Sequence, residues 1–176
     1  FYSSDGIDDP RLVSIRGLMR REREERAHAH LTAVVKSLDE LAPYARTRNI
    51  SLGIENRYYF CEIPSLEEIG RILENFKGAP VCYWHDTGHA QLWENLGFLK
   101  HKDYLDSYGE YLLGVHLHDI RRDDDHLAPL QGDFDFSLLK AYLKKDTIKT
   151  LEAHYPASLH DIMKAKDFLE TLYGTD

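Results

Sequence analysis

Between residue 11 and about residue 47, apolar side chains recur at helical spacing, with Leu31, Val34, Val35, Leu38, Leu41 and Ala45 on one stripe. That pattern predicts one long helix or two in tandem. Residues 20–26 within it, RREREER, set Glu22 one turn from Arg26 and Arg20 one turn from Glu24, the layout of a solvated helix face. His28 and His30 are read as part of the same solvated face. The period then changes. Residues 50–56, ISLGIEN, form a short β-rich run; after it Ser65 and Glu68 make a capping box ahead of Leu66, Ile69, Ile72, Leu73 and Phe76, and Lys77-Gly78 ends that helix. The strand-then-helix order repeats. APVCYWHD (79–86) precedes helical pieces over 92–96 and 104–111, and LLGVHLHD (112–119) precedes a polar loop and a helix capped by Asp135. TIKTLEAH (147–154) precedes a last helix opened by Ser158 and stopped by Gly174. Four β-then-α units predict parallel strands covered by helices, an α/β fold.

Composition narrows the class. Of 176 residues 43% are apolar, with 11 Tyr and 7 Phe, which suits one globular domain built around buried aromatics. The 30 acidic residues against 22 basic ones leave a net charge of -8, which repels a phosphate backbone, so nucleic acid is not the expected partner. Cys61 and Cys82 make neither a disulfide framework nor a thiolate metal site, and they point to a reducing, cytoplasmic setting. No apolar run reaches membrane-spanning length, and the opening FYSSDGIDDP lacks a signal peptide's charged-then-apolar layout. It also lacks an initiator Met, which suggests a chain cut from a longer one.

The strand ends carry the candidate chemistry. Glu55, Asp86, His116 and Glu152 each stand at or near the end of a predicted strand, and in a parallel α/β barrel those ends gather at one face. Three carboxylates and one imidazole form an oxygen-rich set that suits Mn²⁺, Mg²⁺ or Co²⁺ with open positions better than a structural zinc site. An open position implies catalysis. His89, three residues after Asp86 across a Thr-Gly turn, is placed to reach a substrate; bonding to local backbone at a helix start is its alternative role. His118 alternates onto the same face as His116, in a supporting or a structural role. Cys61, Trp84 and Trp93 are assigned to packing.

GIENR, HDTGHA, GVHLHD, DDDHLAPLQGDFDF and TLEAH, in this order between about residue 30 and the C-terminus, resemble the second half of the xylose isomerase-like TIM-barrel superfamily, which holds sugar isomerases, ketose epimerases and abasic-site endonucleases. The resemblance implies a (β/α)₈ barrel of which this chain carries about the last four βα units. It is then a single partial domain over 1–176, with a helical segment at 1–48 and βα units at 49–176. Four strands alone leave two unpaired edges, which suggests a fragment; a homo-oligomer in which two half barrels complete each other is the alternative.

By the same resemblance, Glu55, Asp86, His116 and Glu152 hold one divalent ion, with Mn²⁺ as first choice and Mg²⁺, Co²⁺ or Zn²⁺ as alternatives. Glu55 and Glu152 are the implied catalytic pair, moving a proton on the carbon next to a carbonyl of a small sugar or sugar phosphate. His89 and Arg122 (with Arg121 competing) fall at substrate-contacting positions; His126 is read as touching the substrate or supporting the site from behind, and Asp119 and Asp124 as supporting it from behind, Asp119 by orienting a ligand imidazole. An abasic-site endonuclease is the alternative activity, since Asp124 and His126 have the D-x-H spacing of its multi-metal centre. A half barrel that no longer catalyses is the third reading.

Overall fold

The structure, a computed structural model, describes residues 7–174, so the first six residues of the opening segment lie outside the described residues. The first helix, α1 (Pro10–Thr47), is a single element. Pro10 occupies the first turn, where its missing N–H costs nothing, and Asp9 caps the end by accepting the Arg11 N–H at 2.8 Å. Leu38, Ala42 and Ala45 are buried, while Val13, Ile15 and Leu18 near the other end stay exposed.

The solvated-face reading of residues 20–26 holds for all of them but Arg23, the others being exposed. Glu22 and Arg26 do pair at 3.3 Å, and His28 and His30 are exposed. Arg23, however, is nearly buried and grips both oxygens of Glu68 at 2.9 and 2.7 Å, with the Phe60 carbonyl accepting from its Nε and the Glu62 carbonyl from its Nη2. Arg20 donates to the Phe98 carbonyl and lies 5.8 Å over that ring. Periodicity within one helix cannot show what stands opposite it.

Beyond α1 the chain runs β1 (Leu52–Glu55), α2 (Leu66–Asn75), β2 (Val81–Asp86), α3 (Thr87–Asn95), α4 (His101–Tyr108), β3 (Leu112–Leu117), β4 (Asp119–Arg121), β5 (Asp124–Leu127), β6 (Ile148–Leu151) and α5 (Leu159–Tyr173). The capping box at Ser65 and Glu68 forms as the sequence predicts, and a second one opens α5 at Ser158 and Asp161. Strands β1, β2, β3 and β6 make one sheet in that order, all parallel. This is the predicted α/β arrangement of parallel strands covered by helices. Asp86 pairs with His116 and His116 with Thr150, so the carboxyl ends of the strands are level.

Two segments differ from expectation. The polar loop after β3 contains the antiparallel β4–β5 hairpin, turned at Arg122 in the left-handed backbone region (φ 60°). The segment capped by Asp135 is 3₁₀ helix over Phe136–Ala141 instead of α-helix.

Tyr83, Val115 and Leu117 on the helix side of the sheet join Ile69, Ile72, Tyr104, Leu105 and Leu169 in one buried cluster. On the other side Trp84 fills the space between Gly53 and Gly114; a Cβ at Gly114 would stand 2.5 Å from its ring. Cys61 is exposed rather than packed, and Trp93 is buried with its indole N–H on the Arg57 and Tyr58 carbonyls.

Candidate metal centre

Strand alternation divides the residues of CYWHD between two faces. His85 points to the helix side, fully buried, 2.7 Å from the Tyr83 hydroxyl through Nδ1 and 2.9 Å from His101 through Nε2. Burial pulls the His85 imidazole down to about 3 and keeps His101 well below its ordinary value, so both are neutral packing groups with paired nitrogens. His85 therefore serves the core. Asp86 ends the strand on the other face and caps α3 by accepting the His89 N–H at 2.8 Å.

His116 is the hub. Its Nδ1 lies 2.7 Å from Glu55 Oε1, 2.9 Å from Glu152 Oε2 and 3.6 Å from Asp86 Oδ2. Four strands thus bring the four predicted ligands together. One ring nitrogen carries at most one proton, and the Glu55 oxygen accepts it. Asp86 Oδ2 and Glu152 Oε2 are left buried without a hydrogen bond. The Asp86 and Glu55 carboxylates beside its ring, with Glu152 adding to them, push the His116 imidazole up to about 10. For Asp86, burial opposes ionisation, but the nearby His116 ring and the hydrogen bond from His118 outweigh it and hold the carboxyl well below the usual range. Three carboxylates around one imidazole, with two orphaned oxygens aimed at its nitrogen, fit a divalent cation: the proton on His116 stands in for that charge.

The other Asp86 oxygen is spoken for. His118, fully buried, places Nε2 2.8 Å from Asp86 Oδ1, and its Nδ1 accepts the His126 backbone N–H at 2.9 Å. That backbone donor assigns the ring proton to Nε2. Asn56 holds the same strand end from the side: its amide donates to the Asp86 carbonyl at 3.0 Å and its Oδ1 accepts the Asp86 N–H at 2.8 Å. Beside Glu55, Arg57 reaches Glu55 Oε2 at 3.0 Å and Glu62 Oε1 at 3.1 Å.

The remaining predicted residues sort as follows. His89 is buried against the site, with Nδ1 3.0 Å from the Asn56 carbonyl and Nε2 3.9 Å from Asp125 Oδ2. His126 stacks between His118 and His154, at centroid distances of 4.1 and 3.9 Å. Arg122 stands at the exposed hairpin turn, where its carbonyl accepts from Asn95, and Arg121 turns toward the Gln131 carbonyl and Asp133. Asp124, expected behind His126, is exposed; Asp125 takes that place at 2.9 Å from His126 Nδ1. His126 has a positive φ of 54°, which breaks strand alternation and turns its ring and the Asp125 carboxylate to the same side. Asp119 does not orient an imidazole: its two oxygens accept the N–H groups of Ile120, Leu130, Gly132 and Phe134 and so shape the 128–134 loop.

Arg57, Asp125 and His154 were not singled out from sequence. His154 carried a usable signal, since it follows Glu152 by two residues and so lies on the same side of an extended segment.

A profile described as xylose isomerase-like TIM barrel matches residues 10–172. Among curated proteins, none matches the chain. Solved structures share the fold: a D-tagatose 3-epimerase-like protein has TM-score 0.64 and 23% identity, covering 81% of this chain and 54% of its own. A protein assigned provisionally as a xylose isomerase, from Rhodospirillum rubrum ATCC 11170, has TM-score 0.60 and 22% identity, covering 78% of this chain and 51% of its own. The chain therefore spans about half the length of these relatives. With the sheet order and the profile in agreement over nearly all of its length, the chain belongs to the xylose isomerase-like TIM-barrel family.

Proposed function

We propose that the chain carries the metal-dependent proton-transfer centre of a sugar or sugar phosphate isomerase or epimerase. The observation behind this reading is the convergence of Glu55 and Glu152, from the two edge strands, on His116 Nδ1 at 2.7 and 2.9 Å. Glu55, Asp86, His116 and Glu152 would hold a divalent ion, Mn²⁺ first among the candidates. Such an ion supplies polarisation of a substrate carbonyl, which acidifies the neighbouring C–H. Glu152 and Glu55 then serve as the bases on either side of that carbon, one removing its proton and the other delivering one. Arg57 fixes Glu55 through Oε2 and leaves Oε1 facing His116. His89, with Nδ1 tied to the Asn56 carbonyl, keeps Nε2 for a substrate oxygen. Asp125 adds acidic charge beside His89 and His126, so a small polar substrate suits the centre better than a nucleic acid.

A second reading, phosphodiester cleavage at abasic sites, draws on the grouping of Asp86, His89, His118 and His126, whose donor atoms lie within 4.8 Å of one another. One experiment separates the two. The Mn²⁺-loaded chain is incubated in heavy water with a panel of ketoses and aldoses, beside an abasic-site oligonucleotide. Deuterium next to a carbonyl, lost in Glu152→Gln, supports sugar chemistry. Oligonucleotide cleavage without deuterium uptake overturns it, and neither activity marks a half barrel that binds without turnover.

A further inference from the structure

Glu152 has two oxygens with different neighbours. Oε2 faces His116, while Oε1 stands 3.9 Å from His126 Nε2 and also 3.9 Å from His154 Nε2. These three donor atoms lie within 4.8 Å of one another. The two imidazoles stack at 3.9 Å with their planes 10° apart, and the His154 N–H donates to the His126 carbonyl at 2.9 Å, which ties the two backbones together.

The protonation pattern prepares His126 as a ligand. Its Nδ1 faces Asp125 Oδ2 at 2.9 Å, so a neutral ring carries its proton there and turns the Nε2 lone pair toward Glu152. A carboxylate behind one imidazole nitrogen is the arrangement that orients metal-bound histidines and raises their basicity. With the ring neutral, His126 Nε2 and Glu152 Oε1 stand 3.9 Å apart as two donors that a cation can take up together. His154 is mostly exposed, so its ring can move the roughly 1 Å that closing around an ion bound at about 2 Å requires.

We propose that His126, His154 and Glu152 Oε1 form a second cation site at the rim of the centre. Two imidazoles and one carboxylate, with room for water, suit a borderline ion such as Zn²⁺, Co²⁺ or Ni²⁺ over Mg²⁺ or Ca²⁺. The central site is the reverse, with three carboxylates to one imidazole. Glu152 is shared, one oxygen to each site. On the proton-transfer reading above, an ion at the rim holds Glu152 and withholds it as a base, so a nitrogen-preferring metal acts against the oxygen-preferring one.

The test is Co²⁺ titration of the ion-free 176-residue chain, followed by visible absorption and calorimetry. Wild type takes up two ions. His154→Ala takes up one, as does His154→Phe, which keeps the stacked ring but removes its nitrogens. Glu55→Gln weakens the central event by at least tenfold and leaves the rim event in place, so a failure at the centre is distinguishable from a failure at the rim. Uptake of one ion or none by wild type overturns the proposal. So does uptake of two ions by both His154 variants, which would locate the second ion elsewhere; circular dichroism confirms that each variant is folded before its result is counted.

Discussion

His118 Nε2 lies 2.8 Å from Asp86 Oδ1, and the same ring accepts the His126 backbone N–H on Nδ1 at 2.9 Å. The backbone donor fixes which nitrogen carries the proton, and that proton occupies one Asp86 oxygen. The other oxygen is thereby committed to the cluster around His116. Removing the ring frees Asp86 to rotate, so His118→Ala is expected to weaken cation binding at the central site by roughly 10- to 100-fold. Mn²⁺ binding followed by electron paramagnetic resonance checks this. Wild-type affinity in the variant would show that Asn56 and the helix cap alone position Asp86.

His116 gives the ion-free chain a pH signature. Its folded value of about 10 lies above the ordinary 6.5, so the charged ring stabilises the ion-free fold fully below about pH 6.5, and this contribution fades as pH rises toward 10. The stability deficit of His116→Gln should therefore shrink across that window, read from Tm in the presence of chelator. Cation uptake at pH 7.5 should also release about one proton in wild type and none in the variant, measured by titration in two buffers of different ionisation enthalpy. Uptake without proton release would mean that the ion binds away from His116.

Much of this centre is legible in the sequence because strand ends are. Glu55, Asp86 and Glu152 follow runs whose β character is local, and parallel pairing brings such ends to one level without further information. His85 shows the limit of that rule: one residue before Asp86, it turns to the opposite face and pairs with Tyr83 and His101 in the core. The hairpin was harder. DDDHL offers three aspartates to one histidine, and the choice of Asp125 over Asp124 hangs on a left-handed backbone at His126 that no residue preference announces. Asp119 differs for a related reason: three of the four N–H groups it accepts come from residues 130–134, a loop whose path is set by the carboxylate itself.

Behind the site, Tyr83, His85 and His101 form a buried hydrogen-bonded row, with the Tyr83 hydroxyl 2.7 Å from His85 Nδ1 and 3.0 Å from Asn56 Oδ1. Tyr83→Phe removes one hydroxyl and leaves a buried imidazole nitrogen short of a partner. The expected cost is about 1–3 kcal/mol, measured by urea unfolding. Cation affinity should change less than in His118→Ala, because the Asn56 amide still holds the Asp86 backbone. No loss of stability would mean that water or a ring rotation replaces the hydroxyl.

The last prediction concerns how α1 is fastened. Arg23 and Glu68 are about nine-tenths buried, and the two-pronged contact joins the middle of α1 to the capping box of α2, since Glu68 Oε2 also accepts the Ser65 N–H at 2.7 Å. Burial alone would raise the Glu68 carboxyl; hydrogen bonds from Arg23 and from the Ser65 backbone outweigh it and hold it below its usual value. Arg23→Ala leaves that carboxylate buried without its counter-charge, which is expected to cost about 3–5 kcal/mol. An isolated surface pair would cost at most about 1 kcal/mol, so the measurement discriminates between a fastening and a decoration. The double substitution Arg23→Met with Glu68→Gln should recover a substantial part of the loss, because no buried charge remains and the neutral amide can still accept the Ser65 N–H. Denaturant unfolding of the wild type, the single variant and the double variant checks both statements. If Arg23→Ala costs under 1 kcal/mol, solvent already reaches Glu68 and α1 is held by Leu38, Ala42 and Ala45 instead.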